Sequence, residues 1–403
     1  SGALRADFPA VMGRMRAVRA RISHHDSARR FQSLGVDVFL GDARFASSDT
    51  IRVGDKSLRF KRAVLATGAR AAHPPIPGIE EAGYLTNETV FSLTQLPARL
   101  AVIGGGPVGC ELAQAFRRFG SEVTLVQRAA GLLKQEDVEA TRILQNAFLS
   151  DGIHLMLNAS VLRVDRSGGE KILLIRSPAG EERIPVDEIL AGSGRVPNVE
   201  GMNLEGIGVA YDDVHGVRVD DHLRTTHPRI FAAGDVCLGT KYTHAADASA
   251  RIVIQNALFL GRKKLSSLVM PRCTYTDPEI AHVGLTGEEA AKQGVAIDTY
   301  VRRFSDLDRA ILDGEEEGFV KIHTRKGTAA ILGATIVARH AGEMIGELAL
   351  AMTAGIGLGG LSAVIHPYPT QAEAMRLSGD AYNRTRLTPF VKKLFTRWLA
   401  WTR

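Results

Sequence analysis

Apolar residues between positions 7 and 34 (Phe8, Val11, Met12, Met15, Val18, Ile22, Phe31 and Leu34) recur at close to 3.6 residues. This predicts one or two amphipathic helices, with a capping break at Asp26-Ser27. From 36 to 66 the pattern shortens to the runs VDVFLG, ARFAS, TIRVG and SLRFKRAVLATG, separated by Gly and Asp turns. They predict a small antiparallel meander that ends in a buried strand. Residues 70–97 hold most of the early prolines and read as a linker, so a domain boundary falls near Pro97. A strand from Leu100, a glycine loop, a helix, a second strand and further strands to Ala191 follow, closed by GSGRVPN at 192–198. That succession is a βαβ-containing domain with a second meander. Residues 230–235 form another buried strand ending in Gly-Asp, and 245–260 a helix. Beyond Pro271 strands are expected near Ala281, Thr299, Val320 and Ile331, with helices near Glu288, Glu343 and Leu361.

Composition narrows the class. The 403 residues are 45% apolar and 23% charged, which fits a globular chain of two or three domains. Cys110, Cys237 and Cys273 are widely spaced, with no CxxC or metal-ligand spacing, so neither a disulfide framework nor a metal site is expected and a cytoplasmic location is the default. The net charge of +6 gathers partly at the two ends and is weak evidence for nucleic acid. No apolar run approaches the roughly 18 residues of a membrane span.

The glycine loop carries the clearest chemistry. Gly104, Gly106 and Gly109 form GxGxxG between a strand and a helix. The first glycine permits the tight turn, the second a close approach of pyrophosphate to backbone, the third close packing of helix on strand. A purely structural glycine turn is the alternative. The next strand ends at Gln127, where an acidic residue would hold an NAD ribose, and Arg128 and Lys134 follow. A guanidinium fork suits a 2′-phosphate, so NADP is favoured over NAD unless these are only solvated surface charges.

Six motifs in order, VLATGAR, GGGPVGCE, GSGRVPN, IFAAGDV, YTDPEIAHVG and HPYPTQAE, resemble the class I pyridine nucleotide-disulfide oxidoreductase family, which includes lipoamide dehydrogenase, glutathione reductase and mercuric reductase. The resemblance implies an α/β chain with two Rossmann-like nucleotide-binding domains, the FAD one incomplete, and an α+β C-terminal domain that makes a homodimer. The implied divisions are 1–97 and 223–268 for FAD, 98–222 for NAD(P), 269–380 for the interface, and a tail at 381–403. It places Thr67 and Gly68 at the crossing from flavin to nicotinamide domain and Gly194 among the cofactor contacts. Gly234 and Asp235 would approach FAD, with Asp235 accepting a ribityl hydroxyl; a helix cap is its alternative role. Glu111 would pair with a lysine near the flavin and nicotinamide rings.

Two departures from the family matter. Its first GxGxxG and its CxxxxC pair do not occur in these 403 residues. The expectation is that roughly 90 family residues holding them are absent, and that without them tight FAD binding and disulfide turnover fail. Second, aligning Pro369, Thr370 and Glu373 with the family's His-Pro-Thr motif puts Tyr368 at the histidine position and His366 two residues early. A phenol is a poorer acid-base group at neutral pH than an imidazole. His366 is accordingly read as a support for the turn, with an acid-base role as the alternative. Mercuric reductases also carry tyrosine here, but their C-terminal cysteine pair has no counterpart after Cys273. The implied function is transfer of electrons from NADPH through FAD to a disulfide, metal ion, quinone or other electrophile, with Glu111, Tyr368 and Glu373 as candidate catalytic positions. A nonenzymatic nucleotide-binding or redox-sensing subunit and a membrane-docked quinone diaphorase are the alternatives.

Cys110, at a helix N-terminus, is either an activated thiol or a buried packing residue, and packing is preferred for all three cysteines. After Asp380 an apolar stripe of Phe390, Val391, Leu394, Phe395, Trp398 and Leu399 opposes Lys392, Lys393, Arg397 and Arg403. Such a helix either packs on a dimer partner or lies on an anionic membrane surface.

Overall fold

The computed structural model describes residues 6–402, and its contacts divide the chain into two units. One holds the residues up to Gly104 with Phe116–Thr124 and Ser160–Leu268; the other holds Gly105–Ala115, Leu125–Ala159 and everything from Val269 on.

In the first unit, the Asp7 carboxylate accepts from the Ala10 N–H and starts the helix Phe8–Ser23, with Pro9 in its opening turn. Only Phe8 and Met12 of this helix are buried, Phe8 against the rings of Phe116 and Phe119. Ser27 caps the second helix, Ala28–Ser33, at the expected break. The run 36–41 is not a strand: it has no ladder partner among the described residues, and Leu40 is 84% exposed. Alternation alone cannot make a strand without a neighbour to take its N–H and C=O groups.

Strands Ala43–Ser47, Thr50–Val53 and Lys56–Arg59 form the predicted antiparallel meander. The next run then breaks, and Ala63–Leu65 pairs in parallel with Ile230–Ala232. Phe45, Leu65, Leu204, Val217, Ile230 and Val236 close a core beneath them. The stretch 70–97 is more structured than a linker. It follows the strand Ala69–Ala71, antiparallel to Arg195–Pro197, and buries Ile79 and Val90 almost completely. Gly78, at φ +79°, explains the close seat: a Cβ there would stand 2.1 Å from the Val164 carbonyl oxygen.

Glu188–Ala191 runs parallel to Arg99–Ile103, in a sheet that continues through Glu122–Gln127 to His154–Leu157. This parallel sheet with its glycine-loop helix Pro107–Phe119 is the Rossmann-like element of an α/β chain. A second meander, Ser160–Ser167, Glu170–Ser177 and Gly180–Val186, is antiparallel throughout.

In the second unit, five antiparallel strands lie in the order Pro271–Thr274, Glu279–Gly284, Ile331–Ala338, Phe319–Arg325 and Ile297–Arg303. Ile331–Ala338, the central strand, is buried along nearly its whole length, and helices Ala341–Thr353 and Glu373–Thr385 contribute Leu348 and Met375 to the same core. This is the expected α+β region. The tail forms the helix Pro389–Trp401, started by Thr388, and none of its residues is buried.

Candidate functional site

The glycine loop turns at Gly104, whose φ is +110° and where a Cβ would lie 2.6 Å from the Gly192 carbonyl oxygen. Neither the conformation nor the space admits a side chain. Gly106 is different: nothing lies within 4 Å of the position a Cβ would take. Beyond it the helix Pro107–Phe119 begins, with Gly109 buried; the first N–H groups of a helix have no partner within it and suit an anion. Gln127 has a role that the sequence did not announce. Its Oε1 accepts from the Gly105 N–H at 3.2 Å and its Nε2 donates to the Gly131 carbonyl at 3.3 Å, tying two loops together. Arg128 and Lys134 are both exposed.

Further along this helix, Glu111 is half-buried and its Oε1 accepts from the Tyr275 N–H at 2.8 Å. Burial raises its pKa and that hydrogen bond partly opposes the rise. One turn on, Gln114 accepts from the Asp277 N–H and donates to its carbonyl, both at 2.8 Å. Glu111 and Gln114 thus clasp the Tyr275–Asp277 backbone from one face of a helix; their i, i+3 spacing marks the shared face but not what it grips. Cys110, immediately before Glu111, is fully buried, and burial drives its thiol pKa well up. Desolvation outweighs any helix-terminus activation, and burial likewise pushes Cys237 and Cys273 up to about 12.

In the first unit, Thr67 Oγ1 donates to the Asn198 carbonyl at 2.7 Å and Asn198 Nδ2 returns a bond to the Thr67 carbonyl at 2.9 Å. Gly68 and Gly194 both have positive φ, at +70° and +108°. Asp235 sits in the short turn Gly234–Val236 with its side chain 12% exposed, and its Oδ2 accepts from Arg195. It caps neither that turn nor the helix Thr243–Leu258. Gly234 N–H donates to Ser249 Oγ at 3.0 Å, fixing the segment. Arg195 was not singled out from sequence, although it stands inside GSGRVPN.

The turn before the last core helix separates the remaining candidates. His366 is tucked in, its Nε2 3.0 Å from Glu347 Oε2. Tyr368 is 70% exposed and donates from Oη to Asp308 Oδ2 at 2.6 Å, a bond that raises the phenol's pKa. Glu373 opens the helix Glu373–Thr385 and is held by Arg376. Beside this turn lies a cavity of about 540 Å³ whose lining includes Arg309, Arg339, His340, Thr370 and Gln371.

Residues 10–250 match the family described as pyridine nucleotide-disulphide oxidoreductase, and residues 270–378 match its dimerisation domain. A mercuric reductase of Lysinibacillus sphaericus is 35% identical over 348 residues, 86% of this chain and 64% of that protein. One from Streptomyces lividans is 32% identical over 93% of this chain and 80% of its own length. Among solved structures, the HOCl-induced flavoprotein disulfide reductase RclA of Escherichia coli superposes with a TM-score of 0.83 at 27% identity, covering 92% of this chain and 85% of that one. Against several mercuric reductases the chain spans only 54% to 64% of their length.

Proposed function

The chain belongs to the pyridine nucleotide-disulphide oxidoreductase family, and from that premise we propose that it serves an FAD-dependent oxidoreductase that draws on NADPH and works as a homodimer through residues 270–378. The observation that carries the reading is the glycine loop: a backbone cradle open at Gly106, closed by packing at Gly104, and followed by two exposed cations where an acidic residue would serve NAD.

The residues present fit NADPH, and those around Asp235 fit the ribityl part of FAD. For NADPH, Gly104 and Gly106 with the helix N–H groups would hold the pyrophosphate, and Arg128 with Lys134 the 2′-phosphate. For FAD, Gly234 makes the turn, at φ +74°, that carries Asp235, and Asp235, anchored through Oδ2 by Arg195, has Oδ1 to accept a sugar hydroxyl. Thr67, Gly68 and Gly194 would shape the same region. When bound, the nicotinamide supplies a hydride and the flavin accepts its electron pair. Glu111 would act by position, fixing the Tyr275 backbone and offering its free oxygen to a cationic neighbour.

Tyr368 supports a reading of the acceptor class. Its hydroxyl donates to Asp308 and is held protonated through neutral pH, so it is a poor base toward a thiol but can still hydrogen-bond or contact a metal ion. A metal ion or quinone is therefore favoured over an ordinary dithiol, with Glu373 kept in place by Arg376 nearby in sequence.

The test is NADPH oxidation by the protein supplied with excess FAD against Hg(II), a quinone and a small disulfide, with Arg128→Glu beside it. KM for NADPH should rise about tenfold or more in the variant, the loss expected of a charge-assisted hydrogen bond, while KM for NADH stays put. Equal use of NADH and NADPH by the unaltered protein would overturn the NADP assignment, and faster turnover of the disulfide than of Hg(II) or quinone would overturn the acceptor class.

A further inference from the structure

We propose that the C-terminal helix Pro389–Trp401 is a docking element for an anionic membrane surface. Its apolar side chains are exposed: Phe390, Leu394, Phe395, Trp398, Leu399 and Trp401 are 48% to 83% accessible, and no residue of the helix is buried. At 100° per residue these six fall on one half of the helix, while Lys392, Lys393, Thr396 and Arg397 fall on the other. Arg403, also assigned to the basic face, lies outside the described residues.

Charge selects the occupant. The residues after Asp380 contain six Lys and Arg and no Asp or Glu, so they account for the whole net charge of +6 while the preceding 380 residues balance. Two such tails brought face to face would repel, whereas a bilayer rich in anionic headgroups meets both halves of the helix: acyl chains take the apolar side and headgroups the basic one. The 13-residue helix is far short of the roughly 20 needed to span, and among the described residues no helix is long and apolar enough to cross a membrane, so it lies in the plane of the surface. Trp398 and Trp401 sit where tryptophan is favoured, at the boundary between hydrocarbon and headgroup.

The two tryptophans are the only ones in the chain, so intrinsic tryptophan emission reports on this helix alone. The full protein should show a blue shift and co-sediment with vesicles of equal parts phosphatidylserine and phosphatidylcholine, and do neither with phosphatidylcholine alone. Added salt should weaken both signals. The triple variant Lys392→Glu, Lys393→Glu, Arg397→Glu touches no buried residue and should lose more than about tenfold in vesicle affinity with unchanged NADPH turnover. Equal binding to both vesicle types, or no shift with either, would overturn the proposal. So would a blue shift without vesicles that grows with protein concentration, which would assign the helix to a second copy.

Discussion

Two glycines of the same loop carry different loads. Gly104 is required by the fold, since a methyl group would strike the Gly192 carbonyl at 2.6 Å in a backbone conformation that side chains rarely adopt. Gly106 has open space, so a methyl group there disturbs nothing but a ligand. Gly104→Ala should therefore lower the urea midpoint, at a cost of about 1–3 kcal/mol, whereas Gly106→Ala should leave it unchanged and weaken NADPH binding in a fluorescence titration. A loss of stability in Gly106→Ala, with binding intact, would reverse the assignment. Cys110 teaches the complementary point: its position at a helix start suggests an activated thiol, but complete burial decides its chemistry.

Among elements, four of the five sheet strands beyond Pro271 and the helices near Glu288, Glu343 and Leu361 were legible, whereas the strand Pro271–Thr274 and the helix Glu373–Thr385 were not. What was not legible depended on distant partners. The strand Ala69–Ala71 exists because Arg195–Pro197, more than a hundred residues on, completes its ladder, and the run 36–41 fails to form a strand although its pattern is sound. Glycine spacing exposed the cofactor loop, but the clasp of Glu111 and Gln114 on Tyr275–Asp277 involves backbone groups that no local pattern marks. Within the strand Glu279–Gly284, His282 is fully buried, bonded to Thr335 Oγ1 and the Gly284 carbonyl, both at 2.9 Å. Burial, aided by Arg272, lowers its pKa from 6.5 to about 4. The fold thus prefers the neutral ring, and the stability this gives is present above pH 6.5 and lost as pH falls toward 4. The loss amounts to about 3 kcal/mol. His282→Gln should flatten that part of the acid limb in pH-dependent urea unfolding; an unchanged limb would show that the ring does not cause it.

At the scale of the whole molecule, the chain holds a Rossmann-like sheet, a second parallel pair of strands and an α+β region that matches a dimerisation domain, each with its own buried residues. The combination matches the family's division of labour, in which cofactors do the redox chemistry and the protein sets orientation. The tail stands outside that division, because no side chain of its helix enters a core.

That independence makes the tail expendable to folding and accessible to proteases. A trypsin cut after Arg386 would remove four positive charges and both tryptophans while leaving every buried side chain in place. Such a clipped protein should focus at a lower isoelectric point, go dark in tryptophan emission, keep its NADPH turnover and fail to sediment with anionic vesicles. If the helix docks as proposed, one proteolytic event would release the chain from a surface while leaving the glycine loop intact.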